Sequence, residues 1–337
     1  MSDLGLKGQS KFKKARVLVA GVGGLGSQIS AQLASMGIGF IRIIDRDIVE
    51  VSNLQRQHLY SIDQIGSPKV EAAKTRLGRM NPYIEIEAIP SSINSNTAPK
   101  IVEDVDIVLD GLDSLKPRLA LNRACIDANT PYIFGAAITH VGSVSTIIPN
   151  KTPCLECWQG GVDESKIPTC ATVGVTPSII SLVASVQVSE AVKLILGKKA
   201  KLAGKLLYCD LNDLSFDQLD LARSKECPSC GERKTEIEPV EAVEEICGRN
   251  GNRVFIITPS NEVTVDLKKT IKQMEKLELI PLYQGEFGVT FRYKKENDGY
   301  ARGSLFQTGV FVLESTGSKE QAIILFERLT GLKLNTD

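Results

Sequence analysis

Residues 16–26, RVLVAGVGGLG, join a short apolar strand directly to a glycine-rich turn. Three glycines form G-x-G-x-x-G, and residues 24–36 have the apolar spacing of a helix. Glycine permits a tight turn and a close approach of the backbone to a ligand, while the first N–H groups of the helix attract phosphate. The pattern predicts a nucleotide site, with a glycine turn that binds nothing as the alternative. The candidate nucleotide contacts in this turn are Gly21, Gly23, Gly24 and Gly26.

Strands and helices alternate from this stretch to residue 210. The predicted strands are residues 16–20, 40–45, 84–89, 106–110, 132–136, 142–148 and 205–210. The predicted helices are residues 24–36, 68–80, 117–129 and 177–196. Such alternation is typical of an α/β fold with a doubly wound, mostly parallel sheet and helices on both faces.

The composition changes after Cys230. Residues 231–245 are charged and poor in apolar side chains, which indicates a linker. The predicted elements beyond it are strands at 253–257, 287–293 and 309–314 and helices at 267–277 and 319–331. We therefore expect a first domain at 1–232, a linker at 233–248 and a small α+β domain at 249–337.

Charge and composition exclude several classes of function. The 337 residues include 40 Lys and Arg against 40 Asp and Glu, so the chain lacks the overall basic charge of many nucleic-acid or membrane binders. Aromatic residues make up only 5%, which argues against a platform for stacking bases. The polar, basic N-terminus has no secretory signal, and polar residues interrupt the longest apolar stretch. We expect a cytoplasmic protein with neither a nucleic-acid nor a membrane partner.

The segment after the second predicted strand distinguishes between nucleotides. Residues 45–57 read DRDIVEVSNLQRQ, and Asp45 can accept hydrogen bonds from ribose hydroxyls. Asn53 and Arg56 follow in this segment, and Lys69 comes shortly after it. Two cations and an amide suit a triphosphate that must lose pyrophosphate better than they suit a nicotinamide dinucleotide. The alternative is a solvated, charged loop.

Asp113 follows the buried strand 106–110. Ligands of open α/β sheets bind at the carboxyl ends of the strands, and a carboxylate there can hold Mg²⁺ against nucleotide phosphates. The alternative is that Asp113 caps the next helix, and the two roles are compatible.

Two C-x-x-C pairs predict a metal site. Four thiolates in such pairs form a closed, tetrahedral Zn²⁺ site with no position left for a substrate, so its role is expected to be structural. A redox disulfide is the alternative. The four predicted ligands are Cys154, Cys157, Cys227 and Cys230.

Cys170 lies apart from these pairs, in the Gly-, Pro- and Thr-rich stretch before the predicted helix 177–196. A thiol close to a helix N-terminus can have a lowered pKa and act as a nucleophile, and an inert packing role is the alternative. The remaining cysteines are expected to be buried. They are Cys125, Cys209 and Cys247.

Together these motifs resemble those of the E1-like adenylyltransferases, the group that includes MoeB, ThiF and HesA. Besides the glycine turn and the cysteine pairs, the resemblance rests on D-x-D-x-V-x-x-S-N-L-x-R-Q at 45–57, G-x-x-K at 66–69, D-x-x-D at 110–113 and T-C at 169–170. It covers residue 4 to about residue 232.

The resemblance implies an activity and its partners. Such an enzyme uses ATP and Mg²⁺ to adenylate the C-terminal glycine of a ubiquitin-like or sulfur-carrier β-grasp protein that ends in Gly-Gly, and it releases pyrophosphate. It forms a homodimer, and an E2-like protein or a sulfurtransferase can act after it. The alternative is a non-catalytic nucleotide-binding scaffold with the same fold.

The resemblance also implies roles for single residues. Catalytic roles fall to Arg56, Lys69 and Asp113, with Mg²⁺ on Asp113. Cys170 matches the position where some members form a thioester or persulfide. Zinc on the four paired cysteines is structural. Further nucleotide contacts are Asp45, Asp47 and Asn53, in addition to the glycines of the turn.

Two departures from the family pattern stand out. The family carries an arginine in an R-Y-x-R-Q segment near the N-terminus that reaches the ATP of the partner subunit, and residues 1–9, MSDLGLKGQ, lack it. Either the start of the sequence is truncated, or the active site works without this arginine, or a nearby lysine substitutes for it. The candidate lysines are Lys7, Lys11, Lys13 and Lys14. No cysteine follows Cys247, so we expect no rhodanese activity from the C-terminal domain. Partner binding, as in the ubiquitin-fold domain of eukaryotic E1 enzymes, is the role considered for that domain.

Overall fold

A computed structural model describes residues 4–162, 173–232, 242–247, 253–294, 300–315 and 317–334. The larger of its two sheets has eight strands in the order β3-β2-β1-β4-β5-β6-β7-β8. Its first five strands in chain order pair in parallel, and the last three pair antiparallel. This order confirms the doubly wound, mostly parallel sheet. The strands are β1 Arg16–Ala20, β2 Phe40–Ile44, β3 Glu85–Ile89, β4 Ile107–Asp110, β5 Tyr132–Ile138, β6 Val141–Ile147, β7 Lys205–Asp210 and β8 Ser215–Asp220.

Helices cover both faces of this sheet because its central strands are apolar on both sides. In β1, Val17 and Val19 belong to one buried cluster. The second and third helices and the long helix before β7 contribute the other side of this cluster. Leu18 and Ala20 belong to the opposite cluster, which extends to the cysteine pairs. The helices are α1 Gly5–Lys14, α2 Gly24–Met36, α3 Lys69–Met80, α4 Ala98–Val102, α5 Leu115–Asp127, α6 Glu156–Gln159 and α7 Pro177–Ile195.

Four elements of this domain were not predicted: the helices α1, α4 and α6 and the strand β8. The N-terminal stretch forms α1, whose Phe12 is buried and whose Lys11 Nζ donates to the carbonyl of Leu196 at 2.7 Å. β7 is not the last strand of the domain, because β8 follows it as the edge strand. Most side chains of β8 are exposed, so the strand lacks the apolar alternation that would have predicted it.

By length and composition, α7 could cross a membrane. Ile179, Val183 and Ala184 on this helix are buried in the cluster shared with the sheet and α2. Such burial is the setting of a core helix in a globular domain.

The smaller sheet lies in the C-terminal part of the chain. Its six antiparallel strands have the order β11-β12-β13-β14-β10-β9. β9 occupies part of the predicted linker, so that prediction is wrong for residues 243–247, and β11 and β13 were also not predicted. The strands are β9 Val243–Cys247, β10 Arg253–Ile257, β11 Ile280–Gln284, β12 Gly288–Lys294, β13 Tyr300–Phe306 and β14 Phe311–Ser315, and the helices are α8 Leu267–Lys276 and α9 Lys319–Thr330.

The two faces of the smaller sheet have different neighbours. One face packs on α8 and α9 around a core that includes Phe291 and Phe326. The other carries Ile256, Phe306 and Val310, which are buried and packed with Ile48 of the larger domain. The C-terminal domain therefore docks on the chain segment that follows β2.

Candidate active site and metal centre

The candidate site lies where the strand order of the large sheet reverses, between β1 and β4. Gly21 has φ +83°, and its N–H donates to the carbonyl of Ile44 at 2.8 Å. A Cβ on Gly26 would lie 1.8 Å from the Gly21 oxygen, and a Cβ on Gly111 would lie 2.4 Å from the same oxygen. The packing of the turn itself therefore requires Gly26 and Gly111, whereas Gly21 is required by its left-handed backbone.

Gly23 differs from these glycines because the protein leaves space beside it. A Cβ there would meet only Gln57 Nε2, at 3.7 Å. α2 begins at this point without a side-chain cap, which leaves its first N–H groups available to an anion. Gln57 Oε1 is buried and has no hydrogen-bond partner among the described residues. Free space, free donors and a free acceptor fit a nucleotide at this turn.

Asp45 stands at the end of β2 and orients the turn. Its two carboxylate oxygens accept from the N–H groups of Val22 and Asp47, each at 2.8 Å. Desolvation raises the pKa of Asp45, and the positive charge of Lys69 opposes that rise. Each oxygen keeps a second lone pair, so the carboxylate can also accept a ribose hydroxyl.

Lys69 begins α3 and points back toward the turn. Its Nζ donates to Asp47 Oδ2 at 2.7 Å, and only 6% of its side chain is exposed, against 55% for Asp47. Burial by itself would lower the pKa of Lys69, but Asp47, Asp45 and the more distant Asp113 raise it above its ordinary value. Lys69 is therefore a buried side chain that its ion pair with Asp47 holds in place and keeps in its charged form.

Asn53 and Arg56 come from a short 3₁₀ turn, Val51–Asn53, and the chain just after it. Asn53 Oδ1 accepts the Glu50 N–H at 3.0 Å, as part of a capping box. Arg56 is 9% exposed, and its Nη1 donates to the carbonyl of Ser52 at 2.8 Å. Both side chains are thus held within a loop that has little regular structure of its own.

Asp110 and Asp113 at the end of β4 have different surroundings. Asp110 is fully buried and accepts from Arg118 Nε at 2.9 Å and from the Tyr132 hydroxyl at 2.7 Å. Asp113 is exposed, and no hydrogen bond of its carboxylate is seen within the described ranges. The helix-cap interpretation of Asp113 is wrong, because Ser114 holds the N-cap position of α5. Its exposed carboxylate suits a hydrated Mg²⁺.

The four paired cysteines converge on the opposite face of the sheet from α2. Cys154 Sγ lies 3.9 Å from Cys157 Sγ and 3.5 Å from Cys227 Sγ, and Cys157 Sγ lies 3.4 Å from Cys230 Sγ. All four sulfurs lie within 4.8 Å of one another. Tetrahedral zinc with Zn–S bonds of about 2.3 Å needs sulfurs about 3.8 Å apart, so the cluster fits that ion.

Side chains around the cluster hold the two pairs together. Glu156, in the first pair, accepts from Arg123 at 2.8 Å and from the Ser229 hydroxyl, in the second pair, at 2.7 Å. Asn122 Oδ1 accepts the Leu155 N–H at 3.0 Å. These contacts are the second layer that metal ligands need to keep their orientation.

The other cysteines divide into two groups. Cys125 and Cys209 are buried, as predicted. Cys170 lies outside the described residues, and so does the side chain of Cys247.

One charged residue at the site was not predicted. Arg46, between Asp45 and Asp47, donates from Nη1 to Glu244 Oε2 of β9 at 2.8 Å. No local pattern marks this pair, because the two residues are far apart in the sequence and Arg46 looks like an ordinary loop residue.

Comparisons with known proteins show similarity over most of the chain. Residues 1–229 match the ThiF family. The chain is 33% identical to the SAMP-activating enzyme E1 of Haloferax volcanii, over 72% of this chain and 91% of that protein. It is 35% identical to the sulfur carrier protein adenylyltransferase of Thermus thermophilus, over 74% and 93%. Crystal structures of Escherichia coli MccB with a MccA peptide include one with a TM-score of 0.60 at 27% identity, covering 66% of this chain and 69% of MccB.

Proposed function

The chain belongs to the ThiF family and is an E1-like adenylyltransferase, and we propose that its substrate is the C-terminal glycine of a small ubiquitin-like or sulfur-carrier protein. Relatives named for such substrates support this choice, and an enzyme of this class uses ATP. The carboxylate of the glycine attacks the α-phosphorus of ATP. The bond to the β-phosphate oxygen breaks, and pyrophosphate leaves.

The observations that carry the proposal are two cations held in place, Lys69 at the start of α3 and Arg56 in the loop before it, and the uncapped N-terminus of α2. The attacking carboxylate is ionised at pH 7, so the reaction needs no general base. Its main barrier is repulsion between two anions, which preorganised positive charge lowers. This requirement explains how the site works without a histidine.

The remaining residues divide the work of holding ATP. The glycine turn and Asn53 contact phosphates, Asp45 accepts a ribose hydroxyl, and the Gln57 amide oxygen is available to a further donor of the nucleotide. Asp47 keeps Lys69 charged and in place. Asp113 would hold Mg²⁺, whose charge neutralises the phosphates.

The cysteine cluster takes a structural role in this proposal. Four thiolates fill the coordination sphere of zinc and leave no position for a substrate. The ion would fix the loop after β6 to the chain that follows β8.

The reaction beyond the adenylate is a separate part of the proposal. The Cys170 thiolate attacks the acyl-adenylate, a thioester forms and AMP leaves. The alternative is direct transfer from the adenylate to a sulfurtransferase or an E2-like protein. A homodimer in the cytoplasm is the form that we propose for the enzyme.

Pyrophosphate exchange tests the first step. Purified protein with ATP, Mg²⁺ and labelled pyrophosphate should form labelled ATP only when a β-grasp protein ending in Gly-Gly is present. The same partner without its last two glycines is the matched control. Exchange that is absent with every such partner encoded in the same genome, or equal with the truncated control, would refute the proposed substrate.

A further inference from the structure

Among the described residues, the C-terminal domain contacts the larger domain at residues 90–100 and along residues 46–71, which we call the phosphate segment. This segment carries Asp47, Asn53, Arg56 and Lys69. Between β2 and α3 its only regular structure is two 3₁₀ turns, so its conformation depends on contacts with other parts of the chain.

The first contact holds the start of the segment. Arg46 donates to Glu244 of β9 at 2.8 Å, and the two side chains are 26% and 38% exposed. Burial by itself would lower the pKa of Arg46, but nearby carboxylates raise it, with Glu244 first, then Asp47 and Asp113. The guanidinium therefore binds a carboxylate of the C-terminal domain and also interacts by charge with Asp47 and Asp113 of the candidate site.

The second contact holds the 3₁₀ turn that presents Asn53. Arg302 Nη2 of β13 donates to Glu50 Oε1 at 2.6 Å and to Glu314 Oε1 at 3.1 Å. The Glu50 N–H donates to Asn53 Oδ1, so Arg302 acts on Asn53 through one intermediate residue.

The third contact holds the end of the segment, where α3 begins. The Thr290 hydroxyl of β12 is buried and donates to the Gly66 carbonyl at 2.8 Å. Glu71, in the first turn of α3, accepts from the Tyr283 hydroxyl at 3.0 Å and from the N–H groups of Glu286 and Phe287 at 3.0 and 3.1 Å. These bonds flank Lys69 on both sides.

We propose that the C-terminal domain holds the phosphate segment in its ATP-binding conformation before the nucleotide arrives, with Glu244 and Arg302 as positioning residues. Each acts through a neighbour, Arg46 or Glu50, and touches no reacting atom. A loop fixed in advance does not lose its ordering entropy when the ligand binds, which raises affinity without a new contact to the ligand. The proposal depends on the proposed function only for the identity of the nucleotide.

Hydrogen exchange in the absence of ATP tests the proposal in full-length protein. Amide exchange in peptides from residues 46–71 should be faster in Glu244→Gln and Arg302→Met than in the wild type, while exchange in β12 and β13 stays the same. Glu245→Gln is the matched control, because the neighbouring Glu245 pairs with Arg253 inside the C-terminal domain. Arg292→Met is the matched control for Arg302→Met, because Arg292 lies opposite Arg302 on the neighbouring strand β12.

Calorimetry with ATP and Mg²⁺ supplies the second measurement. If the released segment holds the binding geometry about one-fifth of the time, the apparent Kd rises about fivefold, and the two controls keep the wild-type Kd. Glu244→Asp should recover most of the affinity, because it retains the negative charge.

Two results would overturn the proposal. The first is that Glu244→Gln and Arg302→Met both keep the hydrogen-exchange rates and the ATP affinity of the wild type. The second is that exchange becomes faster to the same extent in both domains, which indicates general destabilisation. The exchange experiment needs neither ATP nor a protein substrate. A failure of the proposed function therefore leaves this test valid and is recognised separately, by the absence of pyrophosphate exchange.

Discussion

The cysteine cluster and the nucleotide site lie in the same domain but are built in opposite ways. At the cluster, four sulfurs face one another, and Glu156 and Asn122 connect the surrounding chain. At the nucleotide site, the uncapped α2, the Gln57 amide oxygen and the exposed Asp113 leave hydrogen-bonding and charge capacity unused by the described residues.

This difference separates stability from activity. A metal held by four buried or half-buried thiolates contributes its binding energy to folding. Groups that point into an open site contribute little to folding and are available to the ligand. Mutations at the cluster should therefore change stability first, whereas mutations at the nucleotide site should change activity first.

The largest effect is expected at the cluster. Cys227→Ser should reduce bound zinc from about one ion per chain to a trace and destabilise the protein by several kcal/mol, because metal binding energy is folding energy here. Metal analysis and thermal melting measure both quantities. Cys209→Ser is the control, since Cys209 is buried outside the cluster and should keep its zinc. Wild-type protein without zinc would contradict the interpretation.

The next largest effect is expected at Asp113. Asp113→Asn should slow pyrophosphate exchange about 100-fold or more, the usual cost of losing one electrostatic contact to the reacting groups. The melting temperature should stay unchanged, because the carboxylate is exposed and does not cap α5. Asp217→Asn, on the exposed face of β8, is the control for a lost surface charge. If Asp113→Asn lowered the melting temperature and kept pyrophosphate exchange, Asp113 would serve the fold and not the reaction.

A smaller effect is expected within the glycine turn itself. Gly23→Ala should fold normally, because its Cβ has room, yet weaken ATP binding about tenfold by keeping phosphate away from the backbone. Gly26→Ala should destabilise the fold, because its Cβ would overlap the Gly21 carbonyl oxygen. Melting curves and calorimetry on both variants measure the two properties. Equal ATP affinity in Gly23→Ala and the wild type would remove the turn from the nucleotide site.

The smallest change in the adenylation step is expected for Cys170→Ala. Adenylation uses no thiol, so pyrophosphate exchange should stay within about twofold of the wild type. Intact mass spectrometry should find a covalent adduct with the partner protein in the wild type, cleaved by reductant, and none in Cys170→Ala. A wild-type protein that forms no adduct would leave Cys170 a packing role and favour direct transfer from the adenylate.

The sequence alone determined the first seven strands of the large sheet and predicted the residues of the candidate site. The boundaries of β1 and α2 follow from the apolar run 16–20 and from glycines before and after the helix, which are local signals. The cysteine cluster was also predictable, because each C-x-x-C pair is a local motif and four thiolates in two such pairs commonly bind zinc. The motif in residues 45–57 was recognisable because all of its residues are close together in the sequence.

Other features depended on tertiary structure. The exposed edge strand β8 and the strands β9, β11 and β13 have weak apolar alternation, so the sheet around them determines their conformation. The sequence could not predict that Glu244 meets Arg46 or that Arg302 meets Glu50. A charged residue looks the same whether it faces solvent or a partner that is 198 or 252 positions away. Such pairs lie together only where the apolar faces of the two domains pack against each other. Here the packing of Ile256 and Phe306 against Ile48 brings the C-terminal domain to the phosphate segment.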